Sequence, residues 1–148
     1  MRAISLWQPF ASSALIPDLK AHETRHWAAP ASVIGQRIAI HASGRSIAKD
    51  LVTTETCEVL AEAFGEDWRT ALPRGAVVGS VIIADCLQMD CMAAPAEPLH
   101  QNDYLLGVWS SGRFAWRLDE PRILAKPIPW KGKQGWFNVP DDVMRGAA

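Results

Sequence analysis

The stretch "GAVVGSVIIADCLQM", residues 75–89, decides the fold. Apolar side chains occupy odd and even positions alike (Ala76, Val77, Val78, Val81, Ile82, Ile83), so both faces of the segment are buried. Its β-branched content makes it a long central strand. Gly79 interrupts it. A glycine inside a strand marks a bulge or a bend, the device a small barrel uses to turn a corner.

The flanking segments supply the partners of this strand. "RAISLW" (2–7) reads as a short strand, and "QPFASSALIPDLK" continues as a helix that Pro9 starts and Pro17 ends. "HETRHW" (22–27) alternates, with Glu23, Arg25 and Trp27 on one face and His22, Thr24 and His26 on the other. After Gly35, "QRIAIHAS" (36–43) turns Ile38 and Ile40 one way and Arg37, His41 and Ser43 the other. "IAKDLVTTETCEVLAEAF" (47–64) has helical period, with Ser46 as its cap and Glu55, Glu58 and Glu62 on a solvated face that carries no chemistry. Residues 93–112 read as a loop. "RFAWRL" (113–118) and "RILAKPI" (122–128) alternate as two strands, and "WKGKQGWFNV" (130–139) is a Lys/Gly turn entering a last strand.

The tally is about six strands, with a helix after the first and another after the third. It predicts an α+β fold: a small, mostly antiparallel β-barrel flanked by helices, in one domain spanning 1–148. The strand–helix alternation of a doubly wound sheet is missing.

Composition narrows the function classes. The chain has 148 residues, 49% of them hydrophobic and 21% charged, enough for a core without a metal or disulfide. The formal net charge is −1, so bulk charge selects no polyanionic partner. The distribution is uneven. Lys20, Arg25, Arg37, Arg45 and Lys49 gather in 20–49, and Arg122, Lys126, Lys131 and Lys133 in 121–135, while acids crowd 50–67. Cys57, Cys86 and Cys91 form no C-x-x-C pair, which argues for a reduced, cytoplasmic setting with no metal and no cofactor. No run approaches the roughly 20 apolar residues of a membrane span, and the N-terminus is not a signal peptide, so no membrane partner is expected. Seven tryptophans against one tyrosine place most of the seven in the core and a few along a groove.

The polar candidates centre on "LKAHETRHW" (19–27). Lys20, Glu23 and Arg25 form a cluster able to meet a phosphate or carbonyl, with Glu23 orienting the two cations; the bland alternative is a surface salt bridge. Trp7 and Gln8 stand at a strand-to-helix corner, where an aromatic plane can stack a base and an amide can bond it; the alternative buries Trp7. His41 and Ser43 end a strand on one face, as ligand contacts or as structural groups. Lys131, Lys133 and Gln134 lie between glycines that permit close backbone approach, so the turn either contacts phosphate or is a solvated hairpin.

"SLWQPFA", "LKAHETRHW", "IAIHAS" and "PIPWKGKQGWFNV", in that order, resemble the ASCH domain family of the PUA-like superfamily of small RNA-associated barrels. The family's G-x-K-x-x-E-x-R segment matches Asp18, Lys20, Glu23 and Arg25, with Asp18 departing from its glycine. The resemblance implies a cleft beside a PUA-like barrel that binds RNA or a nucleotide-like ligand. It also implies that some members are hydrolases, acting on acylated cytidine or as ribonucleases. The hydrolase lysine matches Lys20. The position of its threonine nucleophile falls at Glu23, Thr24 faces away, and its distant glutamate finds no match.

Two functions follow as expectations. One is an RNA- or nucleotide-binding domain. The other is a small hydrolase of a modified nucleoside or of RNA, with Lys20 as base and Glu23 assisting proton transfer. Oligomeric state leaves no signal in the sequence.

Overall fold

The computed structural model describes residues 1–92 and 95–146. Six strands form one sheet: β1 (Arg2–Leu6), β2 (His22–Arg25), β3 (Arg37–Ala42), β4 (Ala76–Gln88), β5 (Phe114–Pro129) and β6 (Trp136–Asn138). Their order is β2-β5-β4-β3-β1-β6. Every neighbouring pair is antiparallel except β1 and β3, which run parallel. The described residues also form five helices: α1 (Phe10–Ser13), α2 (Thr54–Phe64), α3 (Trp68–Ala71), α4 (Gln101–Leu105) and α5 (Asp141–Gly146).

The expected closed barrel is therefore an open, mixed sheet with β2 and β6 as its edges. It curls strongly nonetheless. Arg25 on β2 reaches the main-chain oxygen of Ser5 on β1, four strands away in the sheet order, at 3.2 Å. β4 is the central strand, and its alignment with β5 shifts beside Gly79. A Cβ on Gly79 would lie 2.4 Å from the Arg122 carbonyl oxygen and 2.6 Å from Leu15, so only glycine lets β5 and the α1 segment approach.

Three local expectations are corrected. The segments 113–118 and 122–128 are one strand, β5. Pro121 does not break it because Ser80 pairs with Arg122 and Ile82 with Asp119, leaving Glu120 and Pro121 opposite Val81 alone. At that bulge the proline's missing N–H costs no ladder bond. The helix expected over 47–64 begins only at Thr54, because Thr53 extends its backbone and accepts the Thr56 N–H at 3.2 Å. That cap competes with any earlier start. Ser46, the expected cap, instead bonds Arg74. The expected loop 93–112 contains α4, capped by His100 Nδ1; its residues 93 and 94 lie outside the described residues.

The main core joins Ile4, Leu6, Ile38, Ile40, Val81, Ile83 and Trp116. Trp116 is fully buried, with Trp27 edge-on at 4.9 Å and Trp136 stacked at 5.8 Å. Of the seven tryptophans only Trp68 and Trp116 are buried, fewer than composition suggested. Trp7 is 47% exposed.

Candidate functional site

A cavity of about 900 Å³ opens between β1 and β2. Its walls are β1, the segment 20–26, the Gly132–Gly135 turn, residues 51–56 and the Leu105–Val108 segment. The cavity occupies the side on which the curled sheet fails to close.

The first wall begins at Asp18. Its φ is +67°, the left-handed region that favours glycine and that aspartate tolerates better than most residues. The departure at this position therefore leaves the turn before Lys20 in a conformation a glycine would also adopt. Lys20 follows, 4% exposed. Its Nζ donates to the Leu106 carbonyl at 2.6 Å and lies 3.5 Å from Glu23 Oε2. A buried ammonium without such partners would cost several kcal/mol in lost hydration. Arg25 Nε donates to Glu23 Oε1 at 2.9 Å. Glu23 thus joins both cations, and the three groups carry a formal charge of +1 on the cavity wall. Arg25 also lies against the rings of Trp27 and Trp116, at 5.5 and 5.9 Å.

The other face of β2 is held from behind. Asp103 Oδ1 accepts the N–H groups of Ala21 and His22, both at 2.9 Å. Its Oδ2 meets His22 Nδ1 at 2.7 Å and accepts the Leu99 N–H at 2.9 Å. Burial by itself would raise the Asp103 pKa, but the bonds from His22, Leu99 and Ala21 outweigh it and hold the carboxyl at about 2. Thr24 Oγ1 accepts the Val108 N–H at 2.9 Å. Thr24 therefore gives its hydroxyl oxygen to the loop, and it lines the cavity alongside Glu23 and Arg25.

The second wall is the turn after Trp130. His41 is 2% exposed, bonded through Nδ1 to Ser5 Oγ at 2.9 Å and through Nε2 to the Trp130 carbonyl at 2.8 Å. Gly132 lies directly on this pair: a Cβ there would meet His41 Cε1 at 2.4 Å and Ser5 Oγ at 2.6 Å. At the mouth, the Arg45 guanidinium covers the Trp7 ring at 4.0 Å.

Of the residues picked from sequence, Trp7, Lys20, Glu23, Arg25, His41, Ser43, Lys133 and Gln134 line the cavity together. Gln8 and Lys131 do not. Gln8 is 1% exposed, with Nε2 bonded to Ser12 Oγ and the Pro73 carbonyl and Oε1 accepting the Ser12 N–H. It locks the strand-to-helix corner. Lys131 is exposed to solvent. Sequence reading missed Ser5, Phe10, Leu106 and Arg113 in the lining, and Asp103 behind it. Ser5 had a usable signal, since alternation turns it away from Ile4 and Leu6. Asp103 had none, being one acid in an irregular stretch.

No protein-family model matches the sequence, and no curated protein does either. Solved structures do match. The ASCH protein of Zymomonas mobilis superposes with a TM-score of 0.54 at 15% identity, over 97% of this chain and 90% of that one. Two single-residue variants of the same protein superpose with TM-scores of 0.52 and 0.50, also at 15% identity. They cover 98% of this chain and 92% and 94% of theirs. The chain carries the fold of an ASCH domain.

Proposed function

We propose that this ASCH-fold domain binds RNA or a nucleotide-like ligand in the cavity between β1 and β2. One observation carries the reading: Lys20, Glu23 and Arg25 converge, as one ion-paired group of formal charge +1, on a cavity of about 900 Å³. A cavity of that size suits a nucleotide. The Arg25 guanidinium supplies donors in the planar geometry that phosphate and base edges accept. Trp7 lines the cavity, and the Arg45 guanidinium stacked on its ring adds a cation there. Lys133 adds charge from the opposite wall.

The test is a fluorescence-anisotropy titration of short single-stranded RNA, with a nucleoside monophosphate as competitor, at low and moderate salt. Affinity is expected to fall steeply with salt. Arg25→Ala, checked for folding, is expected to weaken binding at least tenfold. Lys133→Ala should lower the salt slope by about one phosphate contact, whereas Lys131→Ala should change it little. Binding by neither RNA nor nucleotide, or binding indifferent to salt, would remove the reading.

A hydrolase is the second reading, favoured by Lys20 Nζ standing 3.5 Å from the Glu23 carboxylate at the cavity. Thr24 lines the cavity too, but its Oγ1 accepts the Val108 N–H, which ties it to the loop. RNA oligomers and acylated nucleosides left intact by folded protein would remove this second reading.

A further inference from the structure

Ser5 and His41 face one another across the parallel β1–β3 ladder. Ser5 Oγ is 2.9 Å from His41 Nδ1, and His41 Nε2 is 2.8 Å from the Trp130 carbonyl oxygen. A carbonyl only accepts, so Nε2 carries the proton, and the neutral ring presents Nδ1 as acceptor to the Ser5 hydroxyl. The Phe137 ring meets His41 edge-on at 5.7 Å and further restricts its orientation. His41 is buried while Ser5 is half-buried, and both line the cavity. A hydroxyl, a base bonded to it and a group that orients the base are the parts of an activated nucleophile. Arg25 Nη2 donates to the main-chain oxygen of Ser5 at 3.2 Å. Ligand binding as described above uses neither the Ser5 hydroxyl nor the His41 lone pair.

The geometry points to Ser5 as the nucleophile, and His41 as the general base, of a site that hydrolyses small carboxylic esters. Ser5 Oγ attacks the ester carbonyl carbon, and its proton passes to His41 Nδ1. The tetrahedral intermediate collapses, the bond to the alcohol oxygen breaks, and His41 returns the proton to that oxygen. Water then attacks the acyl-serine and gives a proton to His41. The acid departs, and Ser5 Oγ recovers its proton from His41. The class is an ester and not an amide because a neutral carbonyl orients His41. The imidazolium formed during the reaction lacks the stabilisation a carboxylate supplies in the familiar triad, so the good leaving group of an ester is needed. The inference rests on the cavity and the dyad and does not require the nucleotide reading.

The full chain is treated with a fluorophosphonate probe and analysed by intact mass and peptide mapping. Hydrolysis of p-nitrophenyl butyrate is followed alongside. One adduct on Ser5 is expected, together with ester turnover. Ser5→Ala should abolish both, and His41→Gln should slow labelling by about 10²- to 10⁴-fold with its near-ultraviolet dichroism retained. A wild-type chain that takes no adduct and hydrolyses no ester overturns the inference without reference to any variant's folding. An adduct that persists in Ser5→Ala overturns it too. RNA titration of the same wild-type preparation reads the binding proposal separately. An adduct without RNA affinity keeps the dyad and discards the nucleotide ligand, and RNA affinity without an adduct does the reverse.

Discussion

The two walls of the cavity are built on different principles. β2 is pinned: one buried carboxylate, Asp103, accepts three main-chain N–H groups and meets the His22 ring, and the loop behind it also bonds Lys20 and Thr24. The turn after Trp130 rests instead on the Trp130 main chain, which bonds Gly75 and His41, and on the close contact of Gly132 with Ser5 and His41. Gln134 and Gly135 beyond it are exposed. The difference teaches that the charged cluster is held by many buried bonds, while the lysine-bearing wall is held by two main-chain bonds and one close packing contact. Buried, multiply bonded charges give a fixed orientation to what they contact.

The strongest way to break this contrast is Asp103→Ala. It leaves the N–H groups of Ala21, His22 and Leu99 without their acceptor in a buried setting. A loss of about 3–5 kcal/mol is expected, measured by urea denaturation. A loss below about 1 kcal/mol would mean that β2 is not pinned as described.

Acid titration probes the same group more gently. The Asp103 carboxyl sits at about 2 in the folded chain against an ordinary 3.8. A lowered folded pKa contributes stability that is full above the unfolded value and is lost as pH falls through the folded one. About 2 kcal/mol should therefore disappear between roughly pH 4 and pH 2. Subtracting the pH profile of Asp103→Asn from that of the native chain isolates this component from other carboxylates.

Gly132→Ala tests the second wall. The added methyl collides with His41 and Ser5, and overpacking of this kind costs about 1–3 kcal/mol if the turn is held in place. A cost under about 0.5 kcal/mol, with ligand binding retained, would show that the turn moves aside freely. The smallest effect is expected from Asp18→Gly, which relieves a left-handed aspartate but loosens the unfolded chain. A net stabilisation below about 1 kcal/mol is predicted, read from the thermal midpoint.

Much of the site was legible in the sequence, for a simple reason. Strand alternation assigns faces locally, so Glu23 and Arg25 on one side and Thr24 on the other could be read without a fold. The mismatch at Gln8 has an equally physical cause. Its amide is bonded within four residues and to the Pro73 carbonyl, and the second partner lies 65 positions away. The segments 113–118 and 122–128 join in one strand because a proline breaks a ladder only where its N–H would have been used, and which N–H groups are used depends on the partner strand.

Sequence alone determined the elements whose signal is periodic and local: the doubly covered β4, its bend at Gly79, the faces of β2, and the convergence of charge on one short segment. Only the tertiary structure decided that β1 runs parallel beside β3, that the curled sheet stays open, and that the open side is a cavity. It also decided that Asp103, 82 positions from Ala21, holds the strand from behind, and that Leu106 carries Lys20 across 86 positions. Periodicity records which way a side chain faces and how deeply it is buried. It carries no information about which distant segment arrives to meet it, because that choice is made by the packing of the whole chain.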